Sequence, residues 1–284
     1  MNVYAIESEG WRAEVSPTLG GNIGSLSYNG RDIYVPLKSE KQLEINPYLQ
    51  GAPILLPANR TAGGKFCFDG TEYNLPVNEP ATGAHLHGLV HRQIFTVKYC
   101  GENEIKLVYE NKGDIYPFPF LLRVNYLIKN GVFRQEYTVI NTGKSEMPFT
   151  FALHTTFTEP HSFSVPIDLC QEKDGYHIPT GKYEPLIKQE QGYASGSPSK
   201  DIIISGYYRA CGHTAYLDGL SYTVSDNFDH WILYNGRGES SLLCIEPQCG
   251  KVDGLNIKDG CKILKSFEKA TLWTEIKITE SSVV

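Results

Sequence analysis

Five of the chain's Asn-Gly and Asp-Gly dipeptides lie between two runs of strand-forming residues. Both dipeptides tolerate the positive φ angles of tight β-hairpin turns, so each one predicts two adjacent antiparallel strands. Because they recur from one end of the chain to the other, they restrict it to a largely antiparallel β-structure. The five are Asn29-Gly30, Asp69-Gly70, Asn130-Gly131, Asp218-Gly219 and Asn235-Gly236.

Helical patterns are scarce. No long window carries apolar residues at i, i+3, i+4 and i+7, and only short helical turns are expected, near residues 42–48 and 168–173. The polar stretch 189–200 is expected to be one surface loop, because strand-forming sequence continues on both sides of it. We therefore predict a single all-β domain over residues 1–284, folded as a large β-sandwich or a distorted barrel-like sandwich.

Charge and composition exclude several classes of partner. The net charge is −6 with no basic run, which argues against nucleic acid and against anionic membrane surfaces. No stretch approaches the ~20 apolar residues of a membrane span, and the first residues lack the features of a secretory signal. The seven cysteines show no disulfide spacing, and a cytoplasmic location is expected. Four of them are expected to be buried free thiols: Cys67, Cys100, Cys170 and Cys244.

Three of the eight histidines fall within seven positions, in the segment "HLHGLVH". The spacing of His85 and His87 would place both side chains on one face of a strand, as in some metal-binding β-barrels. His154 and Glu246 are the available distant ligands for such a site. The alternative is that His85 and His91 have ordinary structural roles. His87 differs, because the following Gly88 allows a ligand or another backbone segment to approach closely.

Three further positions place polar side chains in apolar surroundings. Asn59-Arg60 follows an apolar run, and the arginine offers either a rigid donor fork or a surface salt bridge. His154 lies inside a strand-forming run, where it is either a core residue or a proton donor. Glu246 ends an apolar run, where burial would raise its pKa toward that of a general base; otherwise it points to solvent.

In order along the chain, five segments resemble those of the aldose 1-epimerases, or galactose mutarotases. The glycine-rich opening "SPTLGGNIGSLSYNGRDIYV" is followed by the Asn-Arg segment "ANRTAGGKFCFDGTEYNL" and the His-Gly segment "HLHGLVHRQIF". The second histidine strand is "FALHTTF", and the Glu-Pro segment is "CIEPQCGKVDGLN". The resemblance implies a large antiparallel sandwich with a sugar site on a concave face. It also implies anomer interconversion of a hexose, without metal or cofactor, by a monomer or homodimer.

The resemblance also implies roles for six residues. Glu246 matches the family's general base and His154 its general acid. The substrate-binding positions are Asn59, Arg60, His87 and His230.

The sequence departs from the family where a substrate-binding Asp is usual, because Ser205-Gly206 stands there and Asp201 is out of register. Three alternatives therefore stay open. The first is an epimerase of hexose 6-phosphates, for which Arg60 and Arg92 would begin a phosphate-binding cluster. The second is a non-catalytic sugar-binding protein, and the third is a metal-dependent β-barrel enzyme.

Overall fold

A computed structural model describes residues 2–238 and 241–279. Four of the five predicted hairpins are confirmed with two-residue turns, in which both turn residues have positive φ. The strand ends pair as Tyr28 with Arg31, Phe68 with Thr71, Lys129 with Val132, and Leu217 with Leu220.

The fifth hairpin differs from its prediction. The strands on either side of Asn235-Gly236 are antiparallel neighbours, but Tyr234 pairs with Cys244. A short 3₁₀ turn, Gly236–Gly238, lies between them, and residues 239 and 240 fall outside the described part of the chain. The Asn-Gly pair thus begins a longer connection instead of forming a tight turn.

Two large antiparallel sheets form most of the structure. The back sheet contains, in spatial order, Thr96–Cys100, Glu104–Asn111, Phe120–Lys129, Val132–Asn141, Lys269–Ile278, Leu220–Val224, Thr214–Leu217 and Phe163–Ser164. The front sheet contains Pro179–Pro185, Ile167–Lys173, Ser205–Ala210, His230–Tyr234, Leu242–Cys249, Phe151–Leu153 and Ile54–Leu55, and Thr156–Thr158 also pairs with Leu242–Cys249.

Smaller elements complete the described fold. A four-stranded sheet contains Tyr4–Ser8, Trp11–Ser16, Asn22–Tyr28 and Arg31–Asp32. Two-stranded ribbons pair Met147–Phe149 with Lys262–Leu264, Arg60–Thr61 with His85–Leu86, and Lys65–Phe68 with Thr71–Asn74. The helices are Lys41–Ile45 and Lys188–Ser195, with 3₁₀ turns at Ala62–Gly64 and Val90–Arg92.

The two large sheets pack face to face through aromatic side chains, which confirms the predicted antiparallel β-sandwich. The ring of Tyr137 from the back sheet lies 5.3 Å from that of Phe151 in the front sheet. Tyr222 of the back sheet meets Trp231 of the front sheet at 6.1 Å, and its hydroxyl hydrogen-bonds the Thr155 hydroxyl at 2.9 Å. Aromatic side chains bury a large apolar area, so these contacts supply much of the core.

Three expectations about local structure are wrong. Residues 168–173 belong to the strand Ile167–Lys173, and the predicted surface loop overlaps the helix Lys188–Ser195. Only Tyr193 of that helix is buried, so its sequence carries no apolar periodicity. Cys67 is exposed because it lies on the solvent side of Lys65–Phe68, and Cys100 is exposed because Thr96–Cys100 is an edge strand without a buried residue. The predicted helical turn near residues 42–48 is confirmed as Lys41–Ile45.

Strand Leu242–Cys249 is buried along its whole length because it lies inside the front sheet. Successive side chains of a strand point to opposite faces. Leu243 and Ile245 enter the core between the sheets, so Glu246 points to the other face of the front sheet. Among the described residues, no helix has the length and apolar character needed to cross a membrane.

Candidate active site

A cleft of about 680 Å³ opens on the face of the front sheet that points away from the core. Its walls combine this sheet with the loops around residues 45–49, 59–60 and 79–87. Five of the six residues predicted for the site line it: Asn59, Arg60, His87, His154 and Glu246. They come from four separate segments of the chain, which only the tertiary fold brings together.

Glu246 and His154 meet at the floor of the cleft. The Nε2 atom of His154 lies 3.5 Å from Oε1 of Glu246, and both side chains are almost fully buried. Burial raises the pKa of the Glu246 carboxyl well above its usual value, although nearby Arg60 opposes this rise. Burial also lowers the pKa of His154 to about 4. Burial therefore favours the uncharged form of both groups.

His87 reaches the cleft because its backbone leaves the strand His85–Leu86. Its φ is 63°, and that of the following Gly88 is also 63°. A Cβ atom at Gly88 would lie 2.0 Å from the carbonyl oxygen of Leu56, so only glycine allows this close approach. The His87 Nδ1 atom is buried without a hydrogen-bond partner among the described residues. Burial lowers the pKa of His87 well below its usual value, which keeps the ring neutral.

Tyr48 lines the cleft and packs against three histidines, and this role was not anticipated from the sequence. Its ring packs edge-on against His87 at 4.6 Å and against His91 at 5.0 Å. It also stacks on His154 at 5.8 Å, with an interplanar angle of 20°. A lone tyrosine after a short helix has no local pattern that would indicate this role.

Arg60 is held by a carboxylate that sequence reasoning also missed. Its Nε and Nη2 atoms donate to the two carboxylate oxygens of Glu79 at 2.7 Å each, and Nη1 donates to the Tyr207 hydroxyl at 2.7 Å. Thr82 also donates to Glu79. Burial opposes ionisation of Glu79, but the hydrogen bonds from Arg60 and Thr82 outweigh it and lower its pKa. Of the two alternatives for Arg60, the structure shows the donor fork, in a largely buried bidentate pair with Glu79.

Asn59 connects the loop that carries Arg60 to the strand that carries Glu246. It adopts a φ of 55°, and its carbonyl accepts a hydrogen bond from the His87 amide at 2.8 Å. Its side-chain amide donates to Gln248 at 3.5 Å. Gln248 follows Glu246 by two positions and therefore shares its face of the strand.

His230 is not among the residues that line the cleft. Its Nε2 lies 2.6 Å from the Tyr183 hydroxyl and its Nδ1 lies 2.8 Å from Asp229 Oδ1. Both ring nitrogens therefore have hydrogen-bond partners within the protein. It pairs with Gln248 across the sheet, beside the cleft instead of within it.

In the segment where the resemblance leads us to expect a substrate-binding Asp, the residues that line the cleft are uncharged. Ser205, Gly206 and Tyr207 line the cleft there, whereas Asp201 is exposed in a turn. The ammonium of Lys173 lies 4.8 Å from the centre of the Tyr207 ring and donates to the Ser205 carbonyl at 3.0 Å.

The alternative in which His85 and His87 together bind a metal ion has no support from the positions of the two side chains. The Nδ1 atom of His85 lies 2.7 Å from the Pro76 carbonyl, and His85 does not line the cleft. Among the described residues, one group of side chains has ligand atoms close enough for a metal ion: His154, Cys244 and Glu246, whose atoms lie within 4.8 Å of one another.

Similar proteins include a curated relative and several solved structures. The chain is 24% identical to YihR, an uncharacterised protein of Escherichia coli K12, over 172 residues, which are 57% of this chain. The matched part spans about half of YihR, 54% of its length.

A galactose mutarotase-like protein from Clostridium acetobutylicum superimposes with a TM-score of 0.89 at 21% identity, covering 96% of this chain and 94% of that one. A galactose 1-epimerase from Lactobacillus acidophilus gives a TM-score of 0.79 at 16% identity, covering 96% and 92%. These likenesses establish the fold.

The family follows from the sequence itself. The model of the aldose 1-epimerase family matches residues 2–277, nearly the whole chain, and that match includes every segment that lines the cleft. The chain therefore belongs to the aldose 1-epimerase family.

Proposed function

We propose that the protein interconverts the α and β anomers of a hexose by acid–base ring opening. The observation that carries this proposal is the 3.5 Å contact between His154 Nε2 and Glu246 Oε1 at the floor of a cleft large enough for a pyranose. Ring opening needs one group at the O1 hydroxyl and one at the ring oxygen O5. Both oxygens are bonded to C1, so two groups this close together can serve them simultaneously.

Glu246 acts as the base and His154 as the acid. The pair holds one proton, and transfer from the carboxyl to the imidazole produces a carboxylate beside an imidazolium without changing the total charge. Arg60 favours this ion-pair form, because its positive charge stabilises the Glu246 carboxylate. The resting pair is thus neutral in its buried site and becomes an acid–base pair through one internal proton transfer.

The reaction then proceeds in two halves. Glu246 takes the proton from the O1 hydroxyl while His154 donates its proton to O5, the C1–O5 bond breaks and C1=O1 forms. After rotation about C1–C2, the O5 hydroxyl attacks the other face of C1. His154 takes back the O5 proton and Glu246 returns a proton to O1. Each positioned proton transfer is worth about 10²–10⁴-fold in rate.

The remaining polar groups hold the sugar while its ring is open. Arg60 uses three of its five N–H groups within the protein, so two are available for sugar hydroxyls. His87 Nδ1 offers a buried polar atom that a hydroxyl would satisfy. With Asn59 beside them, these groups keep the open aldehyde in position for closure.

Glu246→Gln tests the assignment. The amide keeps the shape of the carboxyl but cannot take the O1 proton, so we expect kcat to fall by about 10²–10⁴-fold with sugar binding changed only slightly. Anomer exchange measured by NMR on glucose and galactose gives the rate, and calorimetry gives the affinity. Full activity in this variant would remove Glu246 from the mechanism. If the unmodified protein binds sugar without accelerating exchange, the protein is a sugar-binding member of the family.

The phosphorylated alternative has less support from the geometry. The guanidinium of Arg60 already pairs with the Glu79 carboxylate, and Arg92 lines a neighbouring depression beside Leu19 and Pro53. No pair of free arginines therefore converges in the described cleft. Exchange rates with glucose and glucose 6-phosphate separate the two substrates, and we expect the neutral sugar to react faster.

A further inference from the structure

A buried thiol lies behind the acid–base pair, and the proposed mechanism does not use it. Cys244 precedes Glu246 by two residues on the strand Leu242–Cys249, so both side chains share one face. The Cys244 side chain is fully buried, and its Sγ atom lies 3.5 Å from the Thr156 hydroxyl. This places a soft ligand atom next to an imidazole and a carboxylate.

The three side chains together form a set of ligands that suits a thiophilic metal ion. Cysteine sulfur, histidine nitrogen and carboxylate oxygen are the ligand types that Zn²⁺ takes in proteins. Their ligand atoms lie within 4.8 Å of one another. In a tetrahedral zinc site with bonds of about 2.0–2.3 Å, neighbouring ligand atoms lie roughly 3.3–3.7 Å apart. The cluster needs to contract by only about 1 Å to reach that geometry.

Charge balance also favours a divalent ion. A thiolate or carboxylate alone is costly in this buried position. One Zn²⁺ bound to the Cys244 thiolate, the Glu246 carboxylate and neutral His154 forms a complex with no net charge. The cleft side of Glu246 and His154 stays open for water as a fourth ligand.

We propose that His154, Cys244 and Glu246 form a binding site for a thiophilic divalent metal ion, Zn²⁺, Cd²⁺ or Co²⁺, which acts as an inhibitor and not as a cofactor. The bound ion occupies the lone pairs that would exchange protons with O1 and O5. Binding of the ion and turnover of the sugar are therefore mutually exclusive. This inhibitory consequence rests on the proposed function, whereas metal binding itself does not.

Cobalt reports on the site directly, because a thiolate–Co²⁺ bond produces a charge-transfer absorption band. We expect the protein to bind one Co²⁺ with this band, and excess Zn²⁺ to remove it. Loss of a residue that hydrogen-bonds a metal ligand typically weakens metal binding about 10–100-fold. Cys244→Ser removes a ligand itself, so it should weaken Co²⁺ binding at least as much and abolish the band. Cys249→Ser is the matched control, because Cys249 is buried on the same strand but belongs to the core.

Two results would overturn the proposal. One is the absence of a stoichiometric band in the unmodified protein, and the other is a band that persists unchanged in Cys244→Ser. Glu246→Gln provides a second variant that leaves the thiol intact. Because it removes one of the three ligands, it should weaken Co²⁺ binding at least about tenfold. Circular dichroism checks that each variant is folded.

The consequence for activity is measured separately. Zn²⁺ should inhibit anomer exchange, and the activity that Cys244→Ser retains should be insensitive to the same Zn²⁺ concentration. A Co²⁺ band without any anomer exchange would leave the metal site standing and refute the proposed function. Anomer exchange without a Co²⁺ band would refute the metal site and leave the proposed function standing.

Discussion

At the scale of single residues, the carboxylate of Glu79 governs how Arg60 is presented to the cleft. An arginine side chain has many rotamers, and a bidentate carboxylate selects one of them. Arg60 and Glu79 are 19 residues apart, and the Tyr207 hydroxyl completes the arrangement from 147 residues away. The sequence motif identified the arginine, while the residues that orient it carry no motif of their own.

Glu79→Gln tests this role. The amide keeps one hydrogen bond but loses the charged bidentate pair, which costs about 1.5–3 kcal/mol and leaves Arg60 free to rotate. We expect kcat/KM for hexose exchange to fall by roughly 10–100-fold, mainly through KM. Glu72→Gln is the control, because Glu72 forms only an exposed ion pair with Lys65 at 3.4 Å. A pure loss of kcat, with KM unchanged, would assign Glu79 to the chemical step instead.

At the scale of elements, turn chemistry was a reliable guide and helix patterns were not. The same turn type also joins Tyr4–Ser8 to Trp11–Ser16 at Glu9-Gly10, where φ is 52° and 84°. Glutamate is not a usual residue for positive φ, so the sequence signal there is weak. Helix Lys188–Ser195 was missed because a helix on the surface with one buried residue needs no apolar stripe.

Gly192→Ala should stabilise the protein. Gly192 lies inside that helix, and an added Cβ would meet only Ser197 at 3.7 Å, an ordinary van der Waals distance. Alanine is favoured over glycine in a helix interior by about 0.8–1.0 kcal/mol. Urea unfolding should therefore show a gain of up to about 1 kcal/mol. A loss of stability would mean that residues 188–195 are not helical in solution.

At the scale of the whole molecule, packing keeps several histidines neutral and makes the fold sensitive to acid. Burial, with a smaller contribution from the charge of Arg92, lowers the pKa of His91 to about 3. In the unfolded chain histidine titrates near 6.5, so below about pH 6.5 the unfolded state binds a proton that the folded state excludes. This difference in proton binding leaves the free energy of unfolding unaffected above about pH 6.5, and it lowers that free energy progressively as the pH falls toward about 3.

Replacing His91 by glutamine should flatten this dependence. Each such histidine costs about 1.4 kcal/mol per pH unit below its unfolded pKa. Between pH 7 and pH 5, His91→Gln should therefore lose about 2 kcal/mol less free energy of unfolding than the unmodified protein. His161→Gln is the control, because His161 is exposed in the folded chain. Parallel curves for the unmodified protein and His91→Gln would show that His91 is protonated in the folded state.

The sequence by itself determined the class of fold and named the two groups at the floor of the cleft. Turn residues such as Asn130-Gly131 act through their own backbone angles, so their effect can be read locally. The alternation of side chains along strands is equally local. Tertiary structure alone decided that Glu246 and His154, 92 positions apart, meet at 3.5 Å. It also placed His230 beside the cleft, because strand register and the packing of distant segments are set by the whole core and not by neighbouring residues.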